Sequence, residues 1–409
     1  MTFVRKLWRF GRDVLPVDGF HFERPLVLLQ SDDWGRAGQR DQEGVEQLRS
    51  AGLVLSEHPY DSYTLEKAED LASLSAAMKL HRDSSGRHPC VEMNFILANL
   101  DLAKMSTDGF RQIHLRPLTE GLPPGWVRPG LMEAYRDGIA DGVFQPAMHG
   151  NTHFCQRAIK HHLRDSGERG SLLRALWKAG TPYIHWRMPW IGYEYWDSEG
   201  WGDRFLPASQ QSELIGQAVG IFSQMFSSLP YSACAPGYRA NENTFSAWAR
   251  HGIRVAQNGP VPVTPPPYLD RTGVLQLHRT VDFEPAVDPA FSVESSLSQA
   301  EQCFRRRIPA IVSVHSINFH SSLRDFRSRT LSLLDDFLSA LEAKHPDLLY
   351  LHDGDICELV HKGSYETKQG SVCVKVTKKR FTVPGLDNEG DIDESTEVGS
   401  AGNSGLPAG

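Results

Sequence analysis

Short apolar runs alternate with amphipathic stretches along most of this chain, and this alternation limits its fold more than any other feature. Runs typical of strands occupy residues 25–30, 91–97, 144–148, 253–257, 310–314 and 347–351. Apolar residues recur at helical spacing over residues 131–142, 243–251 and 331–341. Strands that alternate with helices build parallel sheets, because a helix returns the chain to the start of the next parallel strand. The pattern therefore predicts an α/β architecture, either a barrel or an open sheet.

Polar clusters follow four of the predicted strands. They are Asp32-Asp33, residues 149–153, residues 234–239 and His315. Loops at the carboxyl ends of parallel strands converge on one place, so we expect these clusters to form a single active site. No G-x-S-x-G, P-loop or G-x-G-x-x-G motif follows a strand, which disfavours serine hydrolases, NTPases and dinucleotide enzymes.

The Asp32-Asp33 pair stands after the apolar residues 26–29. Two adjacent carboxylates at the end of a buried strand are costly unless a cation or hydrogen bonds compensate them. A contrasting pair, Asp335 and Asp336, lies inside the helical pattern at 331–341, where a solvated helix face explains it. We therefore interpret only the first pair as functional.

His149 and His153 are four residues apart and follow the strand at 144–148. On a helical turn, side chains at this spacing share a face and can bind one ion. The carboxylates after the first strand supply a further ligand, so the sequence predicts a metal site. The turn at 234–239 allows two interpretations, an oxyanion hole of backbone N–H groups or a plain connection. His315 then becomes a general-acid candidate, with Asp282 as a carboxylate that orients it.

Composition restricts the partners and the location of this 409-residue chain. Six acidic residues and no Lys or Arg lie beyond residue 381, so the rest is nearly neutral and predicts no nucleic-acid partner. No apolar run is long enough to span a membrane, no signal peptide pattern is present, and the six cysteines are scattered, which predicts a cytoplasmic protein. Residues 4–15 combine apolar and basic positions at helical spacing, which indicates either a short packing helix or a peripheral membrane contact.

The predicted organisation has four parts. A basic segment covers residues 1–24 and the main domain residues 25–361. Within the main domain, residues 157–230 form an aromatic-rich insertion whose rings either pack on the domain or present a platform to a sugar. A small extension over residues 362–384 contains a hairpin at 371–381, and residues 385–409 form a disordered acidic tail.

The order of these motifs resembles the polysaccharide deacetylase family (carbohydrate esterase family four, the NodB-homology domain). The resemblance covers about residues 25–360. It implies a distorted (β/α)7 barrel that removes an acetyl group from an N-acetylated sugar in a metal-dependent reaction. Asp32 then corresponds to the catalytic base, and Asp33, His149 and His153 to the ligands of a divalent metal ion, with zinc as the expected ion. His315 corresponds to the acid that protonates the leaving amine.

The resemblance also implies contacts around the reacting group. A backbone N–H near Tyr238 would help to stabilise the oxyanion, and Asp282 would orient the general acid. Tyr238, Trp34 and Trp190 are the expected contacts to a carbohydrate substrate.

Three departures from the family pattern affect these expectations. Trp34 stands where the family usually has Gly after the two aspartates. Cys234 occupies the place of an arginine that pairs with the catalytic base, and Arg239 or Arg187 are the candidates to replace it. The long interval from His153 to Tyr238 agrees with an insertion.

Two alternatives to the deacetylase hypothesis stay open on the sequence. One is a non-catalytic sugar-binding relative, which the lost arginine favours and the retained Asp32 disfavours. The other is an amidohydrolase that uses the same ligands on a non-sugar amide.

Overall fold

Strands and helices alternate along most of the chain, as the sequence pattern predicts. The computed structural model describes residues 15–164, 167–368 and 370–383. The strands are β1 (Leu15–Phe22), β2 (Leu26–Trp34), β3 (Val91–Phe95), β4 (Ala98–Leu100), β5 (Leu115–Pro117), β6 (Phe144–Met148), β7 (Ser232–Cys234), β8 (Val255–Asn258), β9 (Tyr268–Leu269), β10 (Leu275–His278), β11 (Val281–Asp282), β12 (Ala310–His315), β13 (Leu349–Tyr350), β14 (Ser364–Thr367), β15 (Gly370–Cys373) and β16 (Val376–Val383). The α-helices are α1 (Gln42–Ser50), α2 (Ala68–Leu80), α3 (Leu102–Thr107), α4 (Leu131–Ala140), α5 (Gln156–Arg164), α6 (Glu168–Lys178), α7 (Ala208–Phe226), α8 (Glu242–Arg250), α9 (Val293–Arg306), α10 (Arg327–Lys344) and α11 (Asp353–Lys362).

One large sheet forms the centre of the fold. Its parallel strands follow the order β11-β12-β2-β3-β6-β7-β8-β10, and β9 then pairs antiparallel with both β10 and β1. Strand β16 lies next to β1, and β13 pairs with β2. The mixed α/β fold on a parallel sheet agrees with the prediction. The count of seven barrel strands is not confirmed, because the parallel run in the described residues contains eight.

The sheet is buried because helices cover it with apolar faces. In α7, the buried residues Ile215, Ala218, Val219 and Phe222 recur at the i, i+3, i+4, i+7 spacing of one helix face. Every residue of β2 is buried, which explains why its sequence is an uninterrupted apolar run before the polar end. Burial from both sides leaves the carboxyl ends of the strands as the place where polar side chains collect.

One of two compact units runs from Val17 to Phe381, and the bounds of 25–361 for the main domain stay a prediction. Gly19 of β1 pairs with Tyr268 of β9, which makes this segment part of the sheet. The predicted hairpin at 371–381 is wrong, because β14 and β15 form a hairpin over residues 364–373 and β16 joins the large sheet. The predictions for residues 4–14 and for the acidic tail lie outside the described residues. None of the helices in the described ranges combines the length and apolar character that crossing a bilayer requires.

Residues 157–230 contain most of α5, together with α6 and α7, and the aromatic segment between α6 and α7. Trp177, Tyr183 and Ile191 belong to a separate apolar cluster that also holds Leu48 and Leu100. Much of this segment is therefore ordered by packing. Trp201 contrasts with it, because 98% of its surface is exposed.

Candidate functional site

The carboxyl ends of the parallel strands bring the predicted polar clusters together. Asp32 and Asp33 lie directly before Trp34, the last residue of β2, and His149 follows β6 directly. His315 is the last residue of β12, and the parallel register places it opposite Asp32. The convergence that strand order predicts is thus observed for these four residues.

The backbone at Asp33 departs from a regular strand. Its φ is 75°, and the pairing of β2 with β3 shifts register between Ser31 and Trp34. Neighbouring residues of a regular strand point to opposite faces. The irregularity therefore explains how the carboxylates of Asp32 and Asp33 both lie against histidines of the site.

The two carboxylate oxygens of Asp33 differ in their partners, because one binds a cation and the other accepts no hydrogen bond. Oδ2 accepts a hydrogen bond from Arg36 at 2.6 Å in a buried ion pair. Oδ1 is buried without a hydrogen-bond partner, and it faces Nε2 of His153 at 3.3 Å and Nε2 of His149 at 3.8 Å. Burial opposes ionisation of Asp33, but Arg36 and the two histidines hold the pKa of this carboxyl well below its usual range.

The protonation of His149 is fixed by its neighbour. Nδ1 lies 2.9 Å from the carbonyl oxygen of Cys234, which can only accept, so Nδ1 carries the proton. Nε2 therefore presents a lone pair toward Asp33. In His153, Nδ1 lies 3.0 Å from Nδ1 of His185, a second imidazole that holds the ring in place. Such partners orient metal-binding histidines.

Residues 149–153 form a loop rather than the helical turn that we predicted. Glu194 holds this loop, since its carboxylate accepts hydrogen bonds from the backbone N–H groups of Asn151 and Thr152. Gly150 has a φ of 89°, and a Cβ there would lie 2.1 Å from Glu194 Oε2, so only glycine fits. His149 and His153 both lie against Asp33 because Glu194, from a different segment of the chain, holds the loop between them.

Asp33, His149 and His153 fit a divalent metal ion. Their ligand atoms all lie within 4.8 Å of one another. One carboxylate oxygen and two imidazole nitrogens suit zinc or another first-row divalent ion. Asp32, His149 and Cys234 form a second group of this kind. That group fits less well, because burial raises the pKa of the Cys234 thiol, and a protonated thiol is a poor ligand.

Asp32 is tethered by Arg279, not by Arg239 or Arg187 as we expected. Arg279 is completely buried, and its guanidinium donates to Asp32 Oδ1 at 2.5 Å. Asn94 donates to the same oxygen at 2.7 Å. Burial opposes ionisation of Asp32, yet Arg279 first, then His149 and His315, lower its pKa to about 2. Arg279 directly follows β10, so the rule used for the other clusters would have selected it.

The two expected arginines have other partners. Arg187 binds Asp61 through two hydrogen bonds of 2.7 and 2.5 Å. Arg239 lies over the ring of Trp196, 4.8 Å from its centroid. Neither arginine takes the place that Cys234 leaves.

His315 is paired with Glu284 rather than with Asp282. Its Nδ1 lies 2.6 Å from Glu284 Oε1, and its Nε2 lies 3.9 Å from Asp32 Oδ2. Burial disfavours the protonated ring, but Glu284 and the aspartates raise the pKa of His315 to about 9. Asp282 is exposed at the end of β11. The sequence analysis predicted Asp282 as the partner of His315, whereas the observed partner is Glu284, two residues later. Asp282 is the last residue of β11, and the chain reaches the histidine only after this strand has ended.

Two groups that we predicted to contact the substrate, the Trp34 ring and the Tyr238 N–H, make contacts within the protein instead. Trp34 is fully buried, donates to Ser31 and stacks on Phe319, so it is not a substrate contact. The Tyr238 N–H donates to the carbonyl oxygen of Ala235 at 2.8 Å, which uses the donor that we assigned to the oxyanion hole.

Tyr193, rather than the predicted Trp190, is the aromatic residue that contacts the proposed metal ligand His153. The half-buried Trp190 packs against His162 and Arg169. Tyr193 stacks on His185 and contacts the edge of His153. No sequence signal distinguished Tyr193, His185 or Glu194 within the aromatic segment.

The chain matches no protein-family model and no curated protein. It is similar to the family 4 carbohydrate esterase from Streptomyces lividans in complex with acetate, with 11% identity and a TM-score of 0.33 over 80% of this chain and 92% of that one. It is also similar to a polysaccharide deacetylase from Bacillus cereus, with 9% identity and a TM-score of 0.32 over 68% of each chain. A third similar structure is the allantoinase Puue, with 12% identity and a TM-score of 0.42 over 83% of this chain and 91% of that one.

Proposed function

We propose that the protein is a metal-dependent hydrolase that removes an acetyl group from an N-acetylated sugar. The observation that carries this proposal is the unpartnered, buried Oδ1 of Asp33, which faces the Nε2 atoms of His149 and His153. A buried carboxylate oxygen with no partner is costly unless a cation compensates it. Beside it stands Asp32, a second carboxylate with its own arginine.

Asp33, His149 and His153 would hold the ion, and zinc suits this set of one oxygen and two nitrogens. When bound, such an ion lowers the pKa of a water molecule and polarises a carbonyl group. Arg36 keeps Asp33 ionised and leaves only Oδ1 free for coordination.

Asp32 and His315 supply the proton transfers. Asp32 is ionised at neutral pH, and Oδ1 is engaged by Arg279 and Asn94, so Oδ2 is the atom that accepts a proton from the attacking water. His315 is protonated at neutral pH, because its pKa is about 9. Its Nδ1 is held by Glu284, which leaves Nε2 to donate a proton to the leaving amine.

The Asp32–Arg279 pair also bears on the non-catalytic alternative. A sugar-binding relative has no need for an ionised carboxylate held by a buried guanidinium beside a metal site. The loss of the family arginine at Cys234 favoured that alternative, and Arg279 removes the reason for it.

Substitution of the two aspartates tests the proposal. Asp33→Ala should lose metal and acetate release together, since one of three protein ligands is gone. Asp32→Asn should keep the metal and lose about 10²–10⁴-fold in rate, the usual scale of general-base catalysis. His149→Ala and His153→Ala should behave like Asp33→Ala. Metal content by elemental analysis and acetate release from a panel of N-acetylated sugars and amides provide the measurements.

Glu46→Gln, on the exposed face of α1, is the matched control and should change neither quantity. If neither aspartate variant alters metal content or turnover, the proposal fails. If only a non-sugar amide is hydrolysed, the reaction class stands and the amidohydrolase alternative replaces the sugar substrate.

A further inference from the structure

Arg239 and Trp196 form a cationic platform beside the proposed site. The guanidinium of Arg239 lies 4.8 Å from the centroid of the Trp196 ring, and that of the exposed Arg204 lies 5.5 Å from the same ring. Arg239 Nε is buried and has no hydrogen-bond partner. Within the described ranges, neither arginine forms an ion pair with a carboxylate.

Other guanidinium groups around the site are matched by acids. Arg36 pairs with Asp33, Arg279 with Asp32, and Arg187 with Asp61. A cation that is partly withdrawn from water without a counter-charge loses hydration that a ligand can replace. Arg239 differs from these three, because its buried Nε has no partner and its charge remains available to a ligand.

The platform is packed into the same wall as the proposed metal ligands. Trp196 lies 6.3 Å from Tyr193 between ring centroids, and Tyr193 lies 5.5 Å from His153. Gly237, with a φ of 58°, lets the Tyr193 ring approach the turn before Arg239, since a Cβ there would lie 2.3 Å from that ring. The Trp196 indole is thus two ring contacts away from His153, a proposed ligand of the ion. A mono- or disaccharide covers this distance.

We propose that Arg239, backed by Trp196, binds an anionic group of the substrate while the acetyl group reaches Asp33 and the two histidines. A guanidinium recognises phosphate and carboxylate through paired charge-assisted hydrogen bonds, and an indole ring fixes its plane. The substrate class is then an N-acetylated sugar that carries a phosphate or a carboxylate. This inference rests on the proposed function for the identity of the sugar, but the anion site is independent of catalysis.

Titration calorimetry on the full-length, zinc-loaded protein tests the anion site directly. The probes are N-acetylglucosamine, its 1-phosphate, and the corresponding uronic acid, N-acetylglucosaminuronic acid. We expect one anionic probe to bind about 10- to 100-fold more tightly than the neutral sugar, the range of a hydrogen-bonded charge. Tighter binding of the 1-phosphate identifies a phosphate as the recognised group, and tighter binding of the uronic acid identifies a carboxylate.

Three variants assign the effect to Arg239. Arg239→Gln should abolish the preference for the anionic probe, and Arg239→Lys should restore part of it, because the charge returns without the planar fork. Arg250→Gln, on the exposed end of α8, removes a charge away from the platform and should keep the preference. Equal melting temperatures confirm that the variants are folded. Equal affinity for neutral and anionic probes, or a preference that survives in Arg239→Gln, overturns the inference.

Acetate release measured in parallel separates the two proposals. Release from all probes alike, with no effect of Arg239→Gln on binding or turnover, refutes the anion site and leaves the deacetylase. An anion preference that depends on Arg239, without acetate release from any probe or from the panel of N-acetylated sugars, refutes the deacetylase and supports the anion site.

Discussion

Replacement of Arg279 by methionine should destabilise the protein strongly. Arg279 is fully buried, and its guanidinium bonds to Asp32 Oδ1 at 2.5 Å, to the Tyr238 hydroxyl at 2.8 Å and to Ser313 Oγ at 3.2 Å. Methionine fills much of the volume but removes the guanidinium from the buried Asp32 carboxylate, which keeps the amide of Asn94 on Oδ1 and only the distant His315 and Cys234 near Oδ2. Loss of one partner of a buried ion pair costs about 3–5 kcal/mol, because the other charge stays uncompensated.

The effect should depend on pH in a defined direction. In the native protein the pKa of Asp32 is lowered to about 2, so its ion pair contributes stability above the unfolded pKa and loses it as pH falls toward 2. Without Arg279, the effect of burial on this pKa loses its largest opposing contribution, so the pKa of Asp32 should rise. Protonation then relieves the unpaired charge, so the destabilisation by Arg279→Met should be smaller at pH 5 than at pH 7.

A double-mutant cycle with Asp32→Asn measures the coupling. Urea unfolding of the metal-free protein gives the free energy of unfolding for the wild type, both single variants and the double variant. The double variant should be less destabilised than the sum of the single ones by about 2 kcal/mol or more, since neither charge is left alone. Arg49→Met, which breaks the exposed pair with Glu46, should cost less than about 1 kcal/mol. Additivity within about 0.5 kcal/mol would refute the assigned ion pair.

Three further substitutions test how the site is held. Glu284→Gln removes the carboxylate that raises the pKa of His315 to about 9, so the alkaline limb of the pH–rate profile should move to lower pH; an unmoved limb would contradict the pairing. Glu194→Ala leaves two backbone N–H groups unpaired and should weaken metal affinity about 10- to 100-fold, whereas Glu194→Gln, which still accepts hydrogen bonds, should retain most of it in a metal titration. Cys234→Arg should lower the melting temperature by several degrees, because Asp32 already pairs with Arg279 and a second buried guanidinium beside it has no carboxylate. Addition of Arg279→Cys should restore the melting temperature, since it removes the second guanidinium. Equal melting temperatures for the single and double variants would count against this.

Much of the site could be predicted from the positions of strand ends. The strand at 144–148 is observed with the predicted bounds, and Asp32, Asp33, His149 and His315 come together because parallel strands share one carboxyl edge. That rule uses only the local pattern of the chain and a general property of parallel sheets. It needs no knowledge of how far each loop reaches.

The partners of these residues could not be predicted, because they depend on the paths of the loops. Glu284 rather than Asp282 reaches His315, since β11 is two residues long and the chain continues past it toward the ring. His185 and Glu194 come from a segment without a periodic pattern, and only tertiary packing places them against the histidine loop. Arg279 is an intermediate case, because it follows a strand but no motif marks it.

The adjacent aspartates show why a residue pair can have two roles. Asp32 pairs with His315 of β12 and takes its cation, Arg279, from the residue that follows β10, while Asp33 adopts a φ of 75° and takes its cation, Arg36, from the turn that follows β2. A non-glycine residue at positive φ costs about 1–3 kcal/mol, and such strain persists only where the surroundings impose it. Here the Arg36 ion pair and the hydrogen bond from Tyr63 to the Asp33 carbonyl impose it. Under the proposed function, this backbone conformation lets Asp33 hold the metal ion while the adjacent Asp32 stays free to accept a proton.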